Sequence, residues 1–347
     1  MQPSSSQKTD RPDPMDLRIL SHGSVSPAGI GSACLGNAFP QTVVTDAADG
    51  GDHPASLVDR SHPSLTAWEK SPRLRRASPI SYFMIEAASQ ALAAVPGIDL
   101  SRTGVVASFF LGCLVYSVRF YRGMNTEGRR FASPILFPET VFNSPLSHVV
   151  STLGIGGPVY SQIGDKSCWA TALRTAECWL RLGEADHVLV LGAEEFDPMT
   201  CHAFRASGLM RKGGLVPAEG AGALLLTASR SPCLARITRM TDGHAFSSQA
   251  TALEAAHSCL REFPESDPVL STATSWLRDL EKQAANGRLL PGEGALRGEA
   301  ATASAAWDTI RGIRLIADGA VEQLVIPYWG LTRQFSAIRL SADKRDS

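Results

Sequence analysis

TALRTAECWLRLGEADHVLVLG, residues 171–192, places apolar side chains at helical spacing up to Leu182, stops at Gly183, and continues into an unbroken apolar stretch from Val188. Apolar groups three and four residues apart form one buried face of a helix, and a glycine just past the last of them ends it. A short unbroken run of Val and Leu reads as a strand covered on both faces, because a half-exposed strand would alternate. A helix followed by a doubly buried strand is the repeating unit of an α/β fold.

The unit recurs on both sides. Upstream, SYFMIEAASQALAA (81–94) is a helix by its Ala, Leu, Met and Glu content and ends before Pro96, and GVVASFFLG (104–112) reads as a buried strand. Downstream, LARITRMTDG opens a second half near Leu234, followed by a helix through residues 250–263, a short strand at PVLST (268–272) and a helix at SWLRDLEKQAA (275–285). AANGRLLPGEGALRG (284–298) is the most loop-like internal stretch, and a helix over 301–317 with strands at EQLVIPYW and SAIRL completes the pattern. The expected organisation is a polar, disordered tail over 1–14, a first half over 15–233 and a shorter second half over 234–347.

Composition narrows the function. The 347 residues are 44% hydrophobic, with 33 Lys+Arg against 34 Asp+Glu, so a large core is available and no charge excess points to nucleic acid or an anionic membrane. The longest uncharged apolar run, Gly104 to Val118, is 15 residues and too short to span a bilayer; it reads as buried strand and loop. The 7 cysteines include no CxxC pair, and the histidines, His148, His187, His202 and His244 among them, show no HxxxH or HExxH spacing. A reducing cytoplasm, no metal and no cofactor are the expectations.

Several segments in order resemble the β-ketoacyl synthases of the thiolase superfamily. HGSVSPAGIG (22–31) is similar to the family's first strand and turn, and RLRRASPISYFMIEAASQAL (73–92) to its first long helix. ASPILFPETVFNSPLSHVVSTLGIGGP (132–158) resembles the segment leading to the nucleophile without a gap, LGEADHVLVLGAEE (182–195) the strand after the nucleophile helix, and PAEGAGALLL (217–226) the GEGAG strand. PYWGLTRQFSAIRL (327–340) resembles the closing turn and last strand. The resemblance implies a five-layered αβαβα fold of two pseudo-symmetric halves.

It also implies a site, and the site departs from the family. Members carry the acyl chain on a cysteine at a helix start, assisted by two histidines. Counting forward from Pro158 and back from Gly183 both place Lys166 at the cysteine position. The first histidine station falls near Thr272 in LSTATSW, the second on Glu299 in GEAATASAA, and no histidine occurs after His257. An ammonium is no nucleophile, so Lys166 reads as a structural plug balanced by Asp165 or by an acid of the other half, with Glu299 the expected ion-pair partner. Cys168 in SCWAT is the rival nucleophile, but reaching it needs a two-residue slip and it has no histidine as general base. In the closing turn Thr332 and Arg333 stand where the family has paired glycines, which implies a stiffened gate.

A member lacking all three catalytic groups resembles the chain-length factors of type II polyketide synthases, which pair with an active ketosynthase and shape the acyl tunnel at the dimer interface by side-chain bulk. The implied partners are a ketosynthase in a heterodimer and, through that complex, an acyl carrier protein. Phe109, Phe110, Leu114, Tyr116, Leu136 and Phe142 are the candidate tunnel residues, each with plain core packing as the bland alternative. Two other functions stay open: a malonyl decarboxylase or acyltransferase using Cys168, and a structural homodimer or scaffold.

Overall fold

The computed structural model describes residues 16–45, 50–210, 214–290 and 298–343. The expected tail over 1–14 and most of the 284–298 loop centre lie outside these residues. Twelve strands are described: β1 (Leu17–Ser26), β2 (Gly29–Ile30), β3 (Thr42–Thr45), β4 (Asp52–Ala55), β5 (Thr103–Phe109), β6 (Val159–Ile163), β7 (His187–Glu194), β8 (Gly220–Thr227), β9 (Ala235–Met240), β10 (His244–Ala245), β11 (Gln323–Trp329) and β12 (Gln334–Ser341). The described helices are α1 (Pro63–Glu69), α2 (Pro79–Ala93), α3 (Leu114–Glu127), α4 (Ser144–Leu153), α5 (Trp169–Leu182), α6 (Pro198–Ala206), α7 (Gln249–Leu260), α8 (Leu277–Ala285) and α9 (Ala301–Ala317).

Hydrogen bonding repeats one pattern twice. In the first half the order is β1-β8-β7-β5-β6, with β5 parallel to β6 and β7, and β8 antiparallel to β7 and β1. The second half gives β9-β12-β11, both pairs antiparallel, and then Val269, which bridges in parallel to Val325 on β11 and to Leu289. The two sets meet where Leu17–Ile19 of β1 pairs with Ala235–Ile237 of β9. PVLST thus contributes isolated bridges where a strand was expected; Pro268 lacks an N–H to donate to a ladder.

Three cores separate the layers. α2 covers the outer face of the first half, packing Phe83, Met84 and Ala87 on β1, β7 and β8. α5 and α9 lie between the two halves, burying Trp169, Leu173, Trp307, Ile310 and Ile313 against strands of both. α7 and α8 cover the far side, where Ala256 and Leu277 share a core with Phe335 of β12. The result is the five-layered α/β arrangement implied by the family resemblance. Among the described residues, no helix is long and apolar enough to cross a membrane.

One element departs from the reading of Gly104–Val118 as strand and loop: α3 begins at Leu114, within the run. Gly112 makes the turn possible, at φ +61° and with the Phe142 ring where a Cβ would stand.

Candidate active site

The segment between β6 and α5 carries Lys166, the residue expected from the sequence at the family's cysteine position. Asp165 starts a short 3-10 turn over Lys166–Cys168 by accepting from the Ser167 amide (3.1 Å) and hydroxyl (2.8 Å). Its other carboxylate oxygen accepts from the Thr332 amide and hydroxyl in the closing turn, so Asp165 is occupied and does not balance Lys166. That turn is packed tightly: Gly330 lies against the Asp165 carboxylate, and Arg333 takes the left-handed conformation at φ +66° that glycine would adopt without strain.

Lys166 is 2% exposed, and its side chain crosses from the start of α5 into the second half. Nζ donates to Asp308 Oδ2 at 2.7 Å and to the Thr272 carbonyl oxygen at 2.9 Å. Burial pulls the Lys166 pKa down, but the Asp308 carboxylate, with Glu299 beyond it, outweighs this and holds the ammonium above its usual range. The group therefore keeps its proton and presents no lone pair.

The ion pair corrects the expected Lys166–Glu299 contact. Glu299 is fixed in a bridge beside Pro217, its amide donating to Val216 O (2.7 Å) and its carbonyl accepting from the Ala218 amide (2.9 Å). From there its carboxylate accepts from Thr274 Oγ1 at 3.2 Å, while Asp308, two turns into α9, meets Nζ directly. Burial raises the Glu299 pKa, which nearby Lys166 only partly offsets. The sequence-derived positions Lys166, Thr272 and Glu299 do come together in one site, with Asp308 supplying the counter-charge.

Arg311, Glu281 and Trp169 complete it. Arg311 Nη1 donates to Asp308 Oδ1 at 3.0 Å. Glu281 accepts from the amides of Thr272 (3.0 Å) and Ala273 (3.1 Å), from Ser271 Oγ (2.8 Å) and from Trp329 Nε1 (3.2 Å), which fixes the carbonyl that Lys166 bonds. Trp169 Nε1 donates to Thr309 Oγ1 at 3.0 Å and so ties the start of α5 to α9. The void left among Lys166, Thr272, Thr274, Glu299, Ser304 and Asp308 is about 20 Å³, room for roughly one water.

Cys168 lies outside this cluster. It is half-buried at the junction of the 3-10 turn and α5, with Sγ turned back over Gly164. Burial and the Asp165 charge push its thiol pKa up, the reverse of what a nucleophilic thiolate needs. Its polar neighbours are Asp165, Ser167 and Gln162, and none is an imidazole. No group of three or more metal-ligating side chains occurs among the described residues.

The tunnel candidates divide. Phe109 is fully buried in the core beneath α2, so packing accounts for it. Phe142 seals against Gly112. Tyr116 and Leu136 line a groove of about 400 Å³ together with Phe120, Phe131 and Ile135, and Arg75, Arg76 and Arg119 edge it. Phe110 and Leu114 are half-buried in the segment leading into α3.

The family model for the β-ketoacyl synthase N-terminal domain matches residues 44–231, more than half of the chain. The chain belongs to the β-ketoacyl synthase family. Solved structures agree in fold. The ishigamide ketosynthase/chain length factor aligns with a TM-score of 0.80 at 18% identity, over 94% of this chain and 99% of that one. A β-ketoacyl synthase from Burkholderia phymatum STM815 gives 0.79 at 14% identity over 95% and 100%. A complex described as a type II PKS acyl-carrier protein with its ketosynthase bound to the hexaketide gives 0.73 at 14% over 95% and 99%. No curated protein sequence gives a significant match.

Proposed function

We propose that this β-ketoacyl-synthase-fold chain is a non-catalytic subunit that pairs with an active ketosynthase and forms part of the wall of the acyl tunnel, as a chain-length factor does. The observation that carries the reading is the state of the family's nucleophile position: a buried ammonium closed off by Asp308 and the Thr272 carbonyl, with room beside it for about one water. Decarboxylative condensation needs a thiolate and two imidazoles, and Lys166, Thr272 and Glu299 supply none of them.

The outer surface supports pairing. β6 is an edge strand, and Val159, Tyr160 and Ile163 on it are exposed; Tyr121 of α3 and Phe131, Ile135 and Phe137 in the segment after it are exposed as well. Apolar side chains gathered along an unpaired strand edge mark an interaction surface. The groove that Phe131 and Ile135 line carries Arg75, Arg76 and Arg119 against Glu127 and Glu139, and its excess of arginine suits an anionic carrier.

Co-expression with a ketosynthase tests the proposal. The expected result is a one-to-one complex whose product shortens when Phe110 or Tyr116 is enlarged and lengthens when either is reduced, and which Ile163→Asp dissociates. A chain that purifies alone, ignores the ketosynthase and leaves its product unchanged would overturn the reading.

A further inference from the structure

β7 ends at Glu194 and Glu195 follows it directly, both almost wholly buried. Neighbouring residues of a strand point to opposite faces, so one strand end sends a carboxylate in each direction. Glu194 accepts from the amides of Phe110 (2.5 Å) and Leu111 (2.9 Å) and lies 3.3 Å from Thr302 Oγ1 at the start of α9, whose hydroxyl donates to the Ser108 carbonyl oxygen at 2.7 Å. Glu195 accepts from the Val115 amide (2.7 Å) in the first turn of α3, and from Ser78 Oγ (2.5 Å) and the Ile80 amide (3.1 Å) at the start of α2. It thus sits between two helix N-termini, whose free amides and dipoles favour a carboxylate.

Together these bonds hold the amides at both ends of the segment from Phe110 to Val115, which joins β5 to α3 and carries Phe110, Leu114 and, one residue on, Tyr116. Only one bond holding the start of this segment is within its own backbone, Leu114 N to Gly112 O at 2.8 Å. Nothing in the Lys166 cluster uses either glutamate.

We infer that Glu194 and Glu195 form a two-sided carboxylate clamp that positions the Phe110–Tyr116 segment and thereby sets the length-determining wall of the tunnel. The inference rests on the tunnel reading proposed above. A wall defined by side-chain bulk discriminates chain length only if its backbone cannot yield, and the clamp supplies that rigidity without adding bulk. Both glutamates act through the segment and are positioning residues.

The test compares Glu194→Gln and Glu195→Gln with the milder Ser78→Ala, which removes one tie to Glu195, and Thr302→Val, which removes the hydroxyl that lies beside Glu194 and bonds the Ser108 carbonyl; both leave the two glutamates in place. Amide hydrogen exchange is followed in the unliganded chain, and product length in the ketosynthase complex. The amides of 110–116 are expected to exchange about tenfold faster or more in the glutamine variants, and measurably faster in the milder ones, while those of α5 and β8 hold. The product distribution is expected to broaden. Unchanged exchange over 110–116 in folded variants would overturn the clamp. Faster exchange with an unchanged product would overturn its role in length control. If enlarging Phe110 and Tyr116 also leaves the product unchanged, the fault lies in the tunnel reading and the clamp stands as a structural device.

Discussion

Breaking the buried pair of Lys166 and Asp308 should cost more than any other single change at this site, and the cost should be recoverable. Removing one member of a buried ion pair typically loses about 3–5 kcal/mol, because the remaining charge is left without a partner. Lys166→Met leaves Asp308 its bond to Arg311, so the loss should fall at the low end, about 3 kcal/mol. Asp308→Leu takes the direct counter-charge from Lys166, leaving Nζ its bond to the Thr272 carbonyl oxygen, and also removes a bond from Arg311, so the loss should lie nearer about 5 kcal/mol. The double variant restores an apolar pairing for Lys166, and the coupling should be about 2–3 kcal/mol. The parallel cycle with Glu299→Gln should show less than about 1 kcal/mol, since Glu299 makes no direct bond to Nζ. Urea unfolding of the four proteins in each cycle measures this. Additive losses for Lys166 and Asp308, or stronger coupling to Glu299, would refute the assignment.

Stability should fall as pH rises. Burial pushes Glu194 up to about 8 and Glu195 to about 7, while their hydrogen bonds pull the other way. Carboxyls raised by folding keep their protons where the unfolded chain has lost them. Their stabilising effect is therefore complete below the ordinary value of 4.5 and disappears as pH climbs through 7 to 8. Glu219, paired with Arg60, faces Glu195, and the Cys113 thiol faces both carboxylates without titrating in this range. The urea midpoint should drop over this interval and the drop should shrink in Glu194→Gln; a rising midpoint would contradict it. Gly330→Ala places a methyl against the Asp165 carboxylate, should cost about 1–3 kcal/mol, and should free the Thr332 turn to faster amide exchange; native stability would argue against the packed turn.

What the sequence reveals depends on how local each signal is. α9 was legible over its full span because Ala, Trp, Ile and Leu recur along it with only Gly312 as an interior weak point, and α5 because Gly183 ends it in the left-handed conformation at φ +71°. α3 was hidden because its first residues continue the apolar run of β5, and only the turn at Gly112 separates them. Lys166 was legible by counting from both sides, but Asp308 was not: α9 is buried on nearly every face, so no stripe marks the side that meets α5. Glu194 and Glu195 carried a usable signal, two acids directly after an apolar strand that offers no water to receive them. Phe109 shows the limit in the other direction, an aromatic in the right segment that turns into the core.

A non-catalytic subunit never carries the acyl group itself. Intact-mass spectrometry of the co-purified complex, after incubation with an acyl-thioester donor, should show the added acyl mass on the ketosynthase alone and this chain at its unmodified mass. An acyl adduct on this chain that disappears in Cys168→Ala, or one that maps to Lys166, would contradict it.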